Sequence, residues 1–106
     1  MHHRTAPSDR DPLGGWTYSE TVDEASAVIR VHGRVDRLDA DLLRGTIENL
    51  ERGGHRDITV TIDAPTRVDP VARAVLAAVA GRLAGRHGRL RIEWPDGGIT
   101  EEQTAP

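Results

Sequence analysis

Between residues 58 and 94 the apolar positions change period twice. Ile58, Val60 and Ile62 alternate with Thr59 and Thr61, the two-residue repeat of a strand with one buried face. From Pro70 to Gly85 the spacing turns helical, with Val71, Val75, Leu76, Val79 and Leu83 on one stripe. Within Arg89–Trp94 it returns to alternation through Leu90, Ile92 and Trp94. Strand, helix and strand in so short a span demand a parallel pair joined by a right-handed crossover. Asp69-Pro70 marks the helix start. Asp can cap the first turn, Pro suits the first helical position, and the residue before Pro is pushed out of the helical region, as a cap should be.

The same reading extends upstream. Trp16–Val22 reads as a strand with Trp16, Tyr18 and Val22 on one face, Asp23–Ser26 as a turn, and Ala27–His32 as the hairpin partner. Gly33-Arg34-Val35-Asp36 breaks the strand. Leu38–Arg52 has helical spacing, with Leu38, Leu42, Leu43, Ile47 and Leu50 forming the expected buried stripe. Asp39 and Asp41 suit its positive end, and Arg44–Glu48 and Glu48–Arg52 form i,i+4 pairs. Gly53-Gly54 supplies a left-handed stop. The expected architecture is α/β, a small mixed four-stranded sheet in the order β-β-α-β-α-β. Its strands two to four are parallel, and two helices cover it. No internal repeat is evident. Residues 1–15 and 96–106, poor in apolar groups, are expected to be disordered tails around one domain at 16–95. The last strand would then be an open edge through which two copies could pair.

Composition closes off several function classes. A chain of 106 residues holds one small domain, and without cysteine it has neither disulfides nor thiolate chemistry. A net charge of -3 argues against binding nucleic acid. No apolar run approaches the roughly 20 residues of a membrane helix, and the N-terminus lacks a signal-peptide core, so a cytoplasmic location is expected. All 14 basic residues are Arg and Phe is absent, the codon bias of a GC-rich genome. Enrichment in Arg therefore says little about ligands.

Candidate chemistry is sparse. His2, His3, His32, His55 and His87 form no metal-ligand spacing, and Ser8, Ser19 and Ser26 lack a nucleophile elbow. Gly14-Gly15, Gly53-Gly54 and Gly97-Gly98 are isolated turn pairs rather than phosphate loops. Arg82, Arg86, Arg89 and Arg91 read as a solvated basic face. Asp36, Asp63 and Asp69 fall where strands hand over to helices, at the sheet edge where α/β folds place their sites. Helix capping and turn stabilisation account for them first. A Mg²⁺ site using all three is the enzymatic alternative. The expectation is a non-enzymatic protein without metal or cofactor.

Three strings in this order resemble a STAS domain, in particular the bacterial anti-sigma factor antagonist. Val28-Ile29-Arg30-Val31-His32-Gly33-Arg34-Val35-Asp36 is similar to the family's second strand ending in Gly-x-x-Asp. Thr59-Val60-Thr61-Ile62-Asp63 is similar to its central strand. Arg67-Val68-Asp69-Pro70-Val71-Ala72-Arg73-Ala74-Val75-Leu76 stands where the family has a hydrophobic residue, Asp, two small or hydroxyl residues, Gly and an aliphatic helix. Gly88–Ile92 resembles the strand that follows. The likeness covers about residues 16 to 95.

The departures are specific. The family's phosphorylated Ser or Thr is here Val71, and Pro70, Ala72 and Arg73 replace other usual residues. Thr66 is the nearest hydroxyl, outside the acceptor context. Family members continue past the fourth strand, where this chain has 11 residues after Pro95. A phosphate on the helix start would add about 1.5 to 2 negative charges at a docking surface, and Val71 cannot carry that switch.

The resemblance implies a partner-binding face of Asp36, Asp69, Pro70, Val71 and Arg73, with no phosphorylation site. The implied partner is an anti-sigma factor of the serine-kinase ATPase type or another partner-switching protein. The alternative within the family is a STAS subunit of a lipid-transport ATPase complex.

Overall fold

The computed structural model describes residues 2–5, 17–63 and 67–102. It contains six strands and two helices: β1 (His2–Thr5), β2 (Ser19–Asp23), β3 (Val28–His32), α1 (Arg37–Arg52), β4 (Asp57–Ile62), α2 (Pro70–Ala84), β5 (Arg89–Glu93) and β6 (Ile99–Glu102). All six strands form one sheet in chain order. The expected parallel trio is present as β3, β4 and β5, and β2 joins β3 antiparallel.

The sheet is wider than the expected four strands. β1 pairs antiparallel with β2, and β6 pairs antiparallel with β5. Both additions come from stretches read as tails. Their composition hides them, because a four-residue edge strand needs backbone partners more than an apolar pattern. The remainder of those tails, residues 1, 6–15 and 103–106, lies outside the described residues, as does Trp16. β5 is therefore not the open edge expected for a pairing between two copies; β6 occupies that side.

Burial alternates cleanly along the inner strands. Ile29, Val31, Ile58, Val60, Ile62, Leu90 and Ile92 are buried on the face under the helices. Arg30, Thr59, Thr61, Arg91 and Glu93 project from the opposite face and remain partly or fully exposed. The fold is thus two-layered, with both helices on one side. From α1 the core receives Ala40, Leu43, Ile47 and Leu50, and from α2 Ala72, Leu76, Val79, Ala80 and Leu83.

Two parts of the expected stripes fall outside the core. Leu38 and Leu42 are 72% and 62% exposed, and Val71 is 52% exposed. Smaller residues take the protected positions instead: Ala40 and Thr46 in α1, Ala72 and Ala80 in α2. Small side chains let a helix sit low on a sheet, so the face chosen is the one that packs closest.

The helices are joined laterally by ion pairs. Arg82 contacts Glu48 at 2.7 Å and Arg86 contacts Glu51 at 3.1 Å. These replace the i,i+4 pairs expected within α1, where Arg44 instead meets Asp41 at 3.6 Å and Arg52 donates to Asn49. Within α1, Gly45 has nothing within 4 Å of a would-be Cβ and lies at an ordinary helical φ. Gly45→Ala should therefore raise stability by about 1 kcal/mol in urea unfolding, the usual glycine penalty of a helix interior.

Candidate functional site

Two strand-to-helix junctions lie side by side at one end of the sheet. Beyond β3 and β4 the chain forms one more parallel bridge, Val35 against Val68. The Val35 N–H donates to the Arg67 carbonyl at 2.8 Å, and the Asp69 N–H donates to the Val35 carbonyl at 2.9 Å. This bridge ties together two loops that the sequence shows only as breaks. Each loop then delivers an aspartate to the start of a helix.

Asp36 caps α1. Its Oδ1 accepts from the Asp39 N–H at 2.9 Å, and Asp39 Oδ2 accepts from the Asp36 N–H at 3.0 Å, a reciprocal capping box. Asp69 caps α2, its Oδ1 accepting from the Val71 N–H at 2.8 Å with Pro70 as the first helical residue. The Asp39 N–H holds the Asp36 carboxyl below its usual range, whereas burial pushes the Asp39 carboxyl up. The signs oppose each other in acid. The Asp36 contribution is present above the ordinary aspartate value and is lost as pH falls through the lowered one. Asp39 in its charged form weighs against folding, and protonation relieves that.

The bridge also exposes a repeat that the sequence reading missed. Arg34-Val35-Asp36 leads into Arg37-Leu38, and Arg67-Val68-Asp69 leads into Pro70-Val71. Arg precedes each bridged valine, Asp caps each helix, and an aliphatic residue takes the second helical position. Leu42-Leu43 and Val75-Leu76 continue the match one turn later. The signal was available as the string Arg-Val-Asp occurring twice, but each copy read separately is only a strand end.

The expected site residues therefore converge in part. Asp36 and Asp69 are neighbours through the bridge, with Pro70 and Val71 exposed beside them. Arg73 turns aside. Its guanidinium carbon lies 4.4 Å from the centre of the Trp94 ring, and its Nη2 is 3.0 Å from Asp96. It fastens the first turn of α2 to the β5–β6 turn rather than standing free for a partner. The Gly98 N–H first, and Arg73 second, hold the Asp96 carboxyl below its usual range. This support for the turn is accordingly lost as pH falls through that lowered value.

The acidic alternative is not assembled. Asp36 and Asp69 accept backbone N–H groups, and Asp63 lies 3.3 Å from His32 Nε2 at the ends of β4 and β3. Among the described residues no three His, Cys, Asp or Glu side chains form a group that could hold a metal ion. The expected basic face of Arg82, Arg86, Arg89 and Arg91 is largely paired, with Arg91 meeting Glu93 at 3.2 Å in addition to the two bridges to α1. Thr66 lies outside the described residues. No described helix is long and apolar enough to cross a membrane.

No protein-family model, curated protein or solved structure matches the chain.

Proposed function

We propose that the protein is a non-catalytic interaction module. It would act like an anti-sigma factor antagonist, binding an anti-sigma factor or a related partner-switching protein without phosphorylation control. The observation that carries this reading is Val71, half exposed at the start of α2, where a core anchor would be buried. Its exposure supports a docking role because it stands at the position where the STAS resemblance places the partner-binding helix start. The fold class agrees with the STAS resemblance, and the helix start lies on the surface as that resemblance requires.

Two measurements test the proposal. Val71→Asp places a carboxylate at a helix N-terminus, where the dipole tolerates it, so the variant should fold as the parent does. Pull-down of a serine-kinase type anti-sigma factor should succeed with the parent chain and fail with Val71→Asp. Equal capture by both would remove the face from the docking surface. Incubation with such a kinase and ATP, followed by intact mass, should show no phosphorylated species, because the acceptor position has no hydroxyl.

A further inference from the structure

The sheet has two outer strands, β1 and β6, each paired on one side only. β3, β4 and β5 run one way, β2 and β6 run the other, and β1 returns to the direction of the central three. The two edges therefore run antiparallel to one another. A second copy set beside the first, with its helices on the same side, brings its β6 to this β1 in the orientation of an antiparallel ladder.

The two edges differ in charge. β1 is His-His-Arg-Thr and β6 is Ile-Thr-Glu-Glu. Charge on an edge strand ordinarily blocks pairing, because a like edge meets it with the same sign. β1 against β1 would set His and Arg against His and Arg. β6 against β6 would bring the carboxylates of both copies to one seam. β1 against β6 instead opposes hydrogen-bond donors and a cation with carboxylates, the cross-strand combination that stabilises a ladder.

Register sharpens the match. His2 and Arg4 stand opposite Val22 and Glu20, on the helix side of the sheet, and Glu102 stands opposite Leu90 on that same side. A pairing that overlaps all four residues of each strand sets His2 against Glu102 and His3 against Glu101, each pair on a common face. Arg4 then lies diagonal to Glu102. Within the chain Glu101 already stands opposite Arg91, whereas His2 and Glu102 have the apolar neighbours Val22 and Leu90.

We infer that β1 is a docking edge for β6 of a second copy of this chain, so that the sheet continues head-to-tail from copy to copy. The contact is heterologous and lacks a two-fold axis, so it adds copies rather than stopping at a dimer. Strands of four residues bury far less than the roughly 800 Å² per partner of a stable interface, so association is weak and rises with concentration. Neither helix start takes part, so this edge and the docking face above stand or fall separately.

Sedimentation velocity of the full-length chain, from micromolar to millimolar concentration, is the test. Species larger than a dimer should grow in with concentration and recede in high salt, which screens exposed charge. His2→Glu alone and Glu102→Arg alone should each require about tenfold more protein for the same association, because an opposite-charge pair becomes a like-charge one. The double variant His2→Glu/Glu102→Arg exchanges the two charges and should regain association, a recovery that misfolding of a single variant cannot give.

A chain that stays monomeric would overturn the second copy as occupant of this edge. Assembly that stops at a dimer would overturn the head-to-tail arrangement. Association indifferent to both single variants, or not regained in the double variant, would overturn the pairing of β1 with β6.

Discussion

Gly33→Ala should unfold a large fraction of the protein's stability margin, with a loss of about 3 kcal/mol or more in urea denaturation. Two independent costs meet at this position. Its φ of +87° lies where side chains with a Cβ are strained, a cost of about 1–2 kcal/mol. A Cβ would also lie 2.2 Å from the Thr17 carbonyl oxygen and 2.7 Å from the Thr17 carbonyl carbon. These are backbone atoms, so no rotamer change relieves the contact. The chain entering β2 would have to move away from β3, beside the Ser19–His32 end of the ladder. Gly54 separates the two terms. It has a φ of +102° and nothing within 4 Å of a would-be Cβ. Gly54→Ala should therefore cost about 1–2 kcal/mol, the backbone term alone. Equal losses at the two sites would mean that the approach of Thr17 to Gly33 is relaxed in solution.

Gly33 also shows why the local sequence was informative. A glycine directly after an alternating run is a strand stop, and the stop is where the reading placed it. The parallel trio, both helices and the Asp69-Pro70 cap were likewise legible, because each follows from periodicity or from the geometry of one residue type. What escaped is of a different kind. β1 and β6 exist through backbone pairing with strands already formed, and nothing in His-His-Arg-Thr or Ile-Thr-Glu-Glu announces that. The face of α1 was misjudged because Leu38 and Leu42 share a plausible stripe with Leu43, Ile47 and Leu50. The alternative stripe includes Ala40 and Thr46, which only a tertiary partner could favour. At the candidate site, Asp36 and Asp69 could be read as separate caps from the sequence. Their adjacency depends on the Val35–Val68 bridge, a non-local contact. Arg73 was expected at the docking face, and its engagement with Trp94 and Asp96 depends on the turn after β5, which the sequence does not show.

The tertiary partner of Thr46 is Glu20, and it leads to the second large prediction. Glu20 projects from β2 into the core side, between the buried Tyr18 and Val22, and is itself buried. Tyr18 donates its hydroxyl to Glu20 Oε1 at 2.6 Å, and Thr46 of α1 donates to Oε2 at 2.5 Å. One carboxyl group thus joins β2 to the buried face of α1. Glu20→Ala leaves both hydroxyls without this acceptor in a buried setting and opens a void beside them. Thr46 keeps its second acceptor, the Leu42 carbonyl at 3.3 Å, so the loss comes from the two hydrogen bonds to the carboxyl and from the void; about 2–4 kcal/mol is expected, read by urea or thermal unfolding. Glu20→Gln keeps one carbonyl oxygen as acceptor and should lose less.

The decisive comparison is the triple variant Tyr18→Phe/Glu20→Leu/Thr46→Val, which removes donors and acceptor together. A buried polar cluster replaced whole by apolar groups of similar shape leaves nothing unsatisfied, so the triple variant should be more stable than Glu20→Ala. That inversion, three substitutions milder than one, is the signature of a hydrogen-bonded unit rather than of three separate contacts. A triple variant less stable than the single one would instead assign the loss to packing.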